Sequence, residues 1–421
     1  VLLYEYKNES FMVFLWGTLL LMFGIPHFST LFIEVEYPKI VLNYASLFVG
    51  LFNVVYLIIR VMINVKFPIK FKRNEELITK RRTDKIYVRT ILILLIFYSV
   101  YTFINYTIIF GSIKNVNWGV LYLSNRNLST FGLIKNKIIN SFFILGSSLV
   151  LVSLIKKNKI MLLITVTSSL IWPMINGNRI RILPLMTSLL IYHFIYKKRE
   201  INVTTIFLGS LFSILSIIIV YFLRLSRIYG GMYLMFSNNK ISHLLSEAIK
   251  MIFEGNGELS LRKAFYHFIY HNNNFENFNK GHTYLRLLLI LVPSKLTGGI
   301  KPPDFAIKMG SAWLMNPTNK YYSMHPTFYG DVFANFWWYG ILFAIPLVLL
   351  IKVIETIHSR RSGSSYYLHF VLLSTSMTII GRGSVYNASH ELLVNVFISI
   401  LILYLSKFIS DFRGKKRKKY D

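Results

Sequence analysis

The sequence predicts an all-α polytopic integral membrane protein of about ten transmembrane helices, with both termini cytoplasmic and one large extracytoplasmic loop. Three observations carry that reading. Hydrophobic residues make up 54% of the 421-residue chain, and its mean hydropathy is +0.50. The apolar residues fall in successive runs of roughly twenty, the length of a helix that crosses a bilayer. The links between the runs are short and basic, and they hold much of a formal net charge of +29. Gathered on one face, such a charge would suggest nucleic acid. Spread over links it is a topology signal, so no nucleic-acid partner is expected.

The candidate spans, in order, are Phe11–Ile33, Ile40–Ile63, Ile86–Phe110, Ile138–Ile155, Ile160–Ile175, Ile180–Tyr196, Ile201–Leu223, Thr327–Ile351, Tyr366–Ile380 and Leu392–Ile409. The first run is long and lacks a small-residue cleavage site, so no cleavable signal peptide is expected. Gly111–Lys137 links two spans and carries an amphipathic stretch around Trp118–Leu128. From Leu223 to Gly340 the chain turns polar, aromatic and Asn-rich, without obvious structure of its own. A connection of that length is usually functional. Within it, Thr283–Val292 is too short to cross and reads as an interfacial or re-entrant piece. The expected organisation is a single transmembrane domain over residues 1–421 with the loop 224–326 inside it. The chain has no cysteine, which excludes disulfides, thiolate catalysis and Cys-ligated metals.

Orientation follows from five basic links: Lys66 to Lys85, Lys156 to Lys159, Lys197 to Arg199, Lys352 with Arg360 and Arg361, and the tail from Arg413 to Lys419. All fall on one side if ten spans alternate, and the positive-inside rule makes that side cytoplasmic. The turn Asn176-Gly-Asn-Arg-Ile-Arg181, the large loop and Gly381 to Glu391 then share the outer face.

The outer arginines run against that rule and are the first candidates for chemistry. Arg179 and Arg181 sit at the mouth of two spans, Arg224 and Arg227 end another, Arg286 lies in the short apolar run and Arg382 ends the ninth span. An arginine at mid-bilayer costs roughly 2.5–3.5 kcal/mol on insertion scales, and a charge-assisted contact returns about 1.5–3 kcal/mol. A bidentate phosphate partner therefore offsets one such residue. The alternative is snorkelling to lipid headgroups. His325, just before a span, can take a proton from a hydroxyl near neutral pH. Asp331 lies inside an apolar helix and must pair, with an arginine or His325, or line a wet cavity. Glu391 and His390 are weaker candidates, while Glu34 and Glu36 mark the first outer loop. No HExxH, DxD, P-loop or GxGxxG pattern occurs, so the expected chemistry uses neither a metal nor a cofactor.

Gly281-His-Thr-Tyr-Leu-Arg286, followed by Pro293 and Lys301-Pro302, resembles a stretch of bacterial oligosaccharide repeat-unit polymerases in which G-x-T-Y leads to I-P-R and then K-P. Ser294-Lys295 stands where that family more often has arginine. Thr327-Phe-Tyr-Gly-Asp-Val-Phe-Ala-Asn-Phe-Trp-Trp-Tyr-Gly340 is similar to its T-x-x-G-E…N-F-G…G segment, with Asp331 for the glutamate and Trp337 for a glycine. Asn176-Gly-Asn-Arg179 resembles the S/T-G-S-R turn shared with lipopolysaccharide ligases. Together the matches run from about Ile175 to Gly340. The resemblance implies a Wzy-type O-antigen or capsule polymerase in the bacterial inner membrane, with its active site facing outward. Donor and acceptor are both undecaprenyl-diphosphate-linked oligosaccharides, and a chain-length regulator protein is a further partner the family allows. On that reading His325 or Asp331 is catalytic. Arg179, Arg181, Arg224, Arg227, Arg286, Lys295, Lys301 and Arg382 face the diphosphate. An O-antigen ligase and a lipid-linked oligosaccharide flippase are the alternatives.

Overall fold

The computed structural model describes residues 1–30, 32, 36–68, 71, 82–126, 128–197, 211, 218–253, 260–276, 278, 281–292, 294–319 and 322–417. Every regular element among them is helical. Six helices are long and apolar enough to cross a membrane: Lys39–Lys66, Arg82–Phe110, Thr130–Ile155, Lys159–Asn176, Thr327–Ser359 and Val385–Phe412. A shorter apolar helix covers Val13–Ser29. This is the architecture of a polytopic membrane protein. Most of the expected span Ile201–Leu223 lies outside the described residues, as do Glu34, Pro293, Tyr321, the link residues 72–81 and the side chain of Lys295.

The chain divides into two compact units. One comprises residues 1–71, 255–360 and 376–392, and the other residues 72–254, 361–375 and 393–421. The large loop is thus shared, with 224–254 in the second unit and 255–326 in the first.

In the first unit, Lys39–Lys66 buries Val41, Ala45, Phe48, Phe52, Tyr56 and Arg60. These recur every three or four residues and form one stripe, while Leu47, Leu51, Val54 and Ile58 on other faces stay exposed. That is the distribution expected of a helix with lipid on its outer side. The stripe packs on a short helix of the large loop, Leu261–Tyr270, through the Phe48–Phe265 ring pair at 5.7 Å. It also meets Thr327–Phe336 through Phe48–Phe333 at 5.3 Å. The loop is therefore not structureless. Leu261, Ala264, Phe265 and Phe268 are buried at helical spacing, a repeat too brief to stand out in sequence but sufficient to fold once a partner face is supplied.

The second unit is built on Thr130–Ile155, which packs between Arg82–Phe110 and Lys159–Asn176. Its span is largely enclosed by protein, matching a helix that is apolar on all sides. Asp84 at the start of one helix holds Lys156 at the end of another at 3.0 Å, so the two run antiparallel. The backbone N–H of Ser364 donates to the same carboxylate at 2.8 Å. Lys159–Asn176 starts on the Asn158 side chain, which accepts from Met161 N, and stops at Gly177 in the left-handed region with φ of 62°; glycine is the residue that adopts such a C-cap without strain.

Candidate functional site

Within the first unit, two of the three segments that carry the resemblance fold onto one another. The helix His282–Leu288 packs on Thr327–Phe336. The Thr283 backbone N–H donates to Asn335 Oδ1 at 3.1 Å, and Asn335 Nδ2 donates to Asp331 Oδ1 at 3.2 Å. The Thr283 hydroxyl lies 3.5 Å from Asp331 Oδ2. Asp331 is 1% exposed. Its partners are these neutral groups, in place of the arginine or His325 expected from sequence. This cage of uncharged donors gives the buried carboxyl hydrogen-bond partners but no countercharge. The Tyr284 phenol is enclosed on the same helix; burial first, and then the Asp331 charge, hold it well above its ordinary range, so it stays protonated.

A second cluster in this unit gathers two cations on one ring. The Arg286 guanidinium lies 4.4 Å from the Tyr386 centroid and Lys301 Nζ lies 5.7 Å from it. Arg286 also donates to the Pro302 carbonyl, and Lys301 Nζ to that of Val292 at 2.7 Å. Val292 and Pro302 are thereby tied through the two cations to the Tyr386 ring.

His325 is half-buried and opens the turn into Thr327, whose φ of 65° is unusual for a β-branched residue. The turn is fixed by Thr327 N–H donating to the Arg382 carbonyl at 3.2 Å and by the close approach of Gly383. A Cβ there would sit 2.8 Å from Thr327 N and O. Backbone strain of this kind persists where surrounding structure over-determines it, often at functional sites.

In the second unit the turn 176–182 presents the other arginines. Arg179 and Arg181 share the 3-10 turn Arg179–Ile182, started by the Asn178 side chain. Arg181 donates to the Tyr98 hydroxyl at 2.6 Å and to Asn140 Oδ1. Arg227 Nε donates to the Gly177 carbonyl at 2.7 Å and its guanidinium lies 4.2 Å from the Trp118 ring. Arg224 is half-buried on the helix 218–228. Trp118 belongs to the helix Trp118–Arg126, where the sequence predicts the amphipathic stretch.

Sequence reasoning missed one cluster. Arg60 in the first unit is 1% exposed and bonds Glu5 at 2.9 Å and 3.0 Å and Glu355 at 2.9 Å and 2.5 Å. The signal was an arginine inside one apolar run and a glutamate four residues past the end of another. The partner Glu5 lies in a segment with no pattern to flag it. No protein-family model, curated protein or solved structure matches the chain.

Proposed function

We propose that this protein is a polysaccharide polymerase, a glycosyltransferase that joins undecaprenyl-diphosphate-linked oligosaccharide repeat units at the outer face of a bacterial cytoplasmic membrane. About ten spans, cytoplasmic termini and an extracytoplasmic 224–326 loop are part of the same reading. The observation that carries it is the interlock of motif residues: Thr283 of the G-x-T-Y stretch bonds Asn335 and meets Asp331 of the following segment, and Lys301 of the K-P pair joins Arg286 on Tyr386. Two segments that resemble one family only loosely in sequence therefore share one locality of the first unit.

The reaction is a displacement at the donor's anomeric carbon. The acceptor hydroxyl oxygen forms the new glycosidic bond, the bond from that carbon to the diphosphate oxygen breaks, and undecaprenyl diphosphate departs with the electron pair. The hydroxyl proton passes to His325 or Asp331. In the first unit Arg286, Lys301 and Arg382 are the guanidinium and ammonium groups that stabilise the departing negative charge.

Deleting the chain in its native host and separating lipid-linked glycans on a gel tests the reading. A polymerase leaves single repeat units where long chains were; a ligase leaves no glycan on the core, and a flippase stops units from reaching the outer face. Arg286→Ala and Lys301→Ala are each expected to shorten or abolish the ladder at normal protein level, and an unchanged ladder in both rejects the cationic stabilisation.

A further inference from the structure

The second unit contains a cavity of about 420 Å³, a size typical of small-molecule sites. Its wall is built where Arg82–Phe110 ends, Thr130–Ile155 begins and Lys159–Asn176 ends, the end of these helices that the sequence places outside. We infer that this cavity binds the glycosyl part of the ligand, one or two sugar rings, and not its phosphate. The inference rests on the polymerase reading and deepens it.

Three features of the wall carry it. The side-chain amides of Asn105, Asn140 and Asn176 line the cavity together with the rings of Tyr101, Tyr106 and Trp118. An asparagine amide carries two donor hydrogens and an oxygen with two lone pairs, so where one is engaged, as Asn140 Oδ1 is by Arg181 and Asn176 Nδ2 by Tyr106, capacity remains for a sugar hydroxyl. Aromatic faces suit the C–H faces of a pyranose and supply contact area with little loss of rotamer freedom. No aspartate or glutamate lines the cavity, which disfavours an amine or a metal ion as its occupant. Two wall residues carry a positive charge, Lys135 and Arg181. Lys135 Nζ lies 5.3 Å from the Tyr101 centroid, while the two terminal nitrogens of Arg181 brace Tyr98 and Asn140 and its guanidinium lies over the Tyr98 and Phe143 rings at 5.9 Å and 5.7 Å. A bidentate grip on phosphate would break those contacts. Arg181 is therefore a positioning residue that fixes an amide for a sugar hydroxyl.

Photo-crosslinking in the native host tests this whatever the identity of the sugar. A benzoylphenylalanine at Leu121 or Ile139, both in the wall, is expected to give a peptide adduct that releases saccharide fragment ions in a mass spectrometer. The same probe at exposed Leu123, outside the wall, gives none. Combining Tyr101→Ala with Asn105→Ala lowers the saccharide adduct about tenfold, the loss that about 1.4 kcal/mol of contact produces. Adducts carrying only lipid acyl mass, an absence of saccharide at both wall positions, or a yield insensitive to the double substitution overturns the assignment. If long polymer persists in the deletion strain, the polymerase reading fails. If polymer is lost yet no saccharide adduct forms, only the cavity assignment fails.

Discussion

Arg60 holds two carboxylates on one guanidinium, with Ser10 donating to Glu355 at 2.9 Å and Tyr56 to Glu5 at 2.7 Å. Desolvating three charged groups is costly, and the gain comes from geometry that satisfies them with hydrogen bonds. Removing the cation alone leaves two buried carboxylates facing each other, so Arg60→Leu should destabilise the protein by about 3–5 kcal/mol, read as a drop in thermal midpoint in detergent. Asp331 behaves in the opposite sense. Asp331→Asn keeps a polar group of the same shape beside Thr283 and Asn335 and removes only a carboxyl that has no countercharge, so the midpoint should stay level while polymer disappears. A destabilised variant that still makes polymer would mark the carboxylate as structural. At this scale the sequence exposed single residues and hid their partners. A carboxylate in an apolar helix stands out by composition, whereas Thr283 and Asn335 are ordinary until the fold brings them together.

The short helix Leu261–Tyr270 shows the same division at the scale of elements. Its anchoring histidine, His267, presents Nε2 to the Ala312 carbonyl at 3.2 Å and Nδ1 to the Tyr37 hydroxyl at 3.4 Å, with the His271 ring 4.5 Å away. One nitrogen donates and the other accepts, as a neutral imidazole requires. Burial, reinforced by His271, holds His267 below its ordinary value. The unfolded chain therefore takes up protons first as pH falls. The resulting stability is complete above about 6.5 and is lost as pH drops through the folded value. Amide exchange in 261–270, corrected for intrinsic rate, should accelerate on acidification, and His267→Phe should remove that dependence. Gly383→Ala tests the neighbouring turn. It places a Cβ against Thr327 at a φ of 94°, and a loss of about 1–3 kcal/mol in unfolding free energy is expected. Long helices were legible from sequence because each carries its own apolar repeat. The loop helix Leu261–Tyr270 was not, since its stability is borrowed from Lys39–Lys66 and Thr327–Phe336.

For the molecule as a whole, hydropathy and the placement of basic links settled the class, and the six long apolar helices agree with it. The division into two units had no counterpart in composition, because the chain leaves each unit and returns to it. The absence of cysteine gives a clean background for topology. Asn115→Cys should react with a membrane-impermeant maleimide in spheroplasts and Lys157→Cys only after permeabilisation; the reverse pattern would invert the orientation. Thr327–Ser359 has a further consequence. Its regular course breaks at Trp337, with φ of 54°, and a 3-10 turn occupies Trp337–Phe343. The uninterrupted remainder, Ala344–Ser359, has 16 residues and is about 24 Å long, some 6 Å less than a typical hydrocarbon layer. The seven-residue 3-10 turn before it rises about 2.0 Å per residue and makes up the missing length, so the span still crosses although its regular course breaks at Trp337.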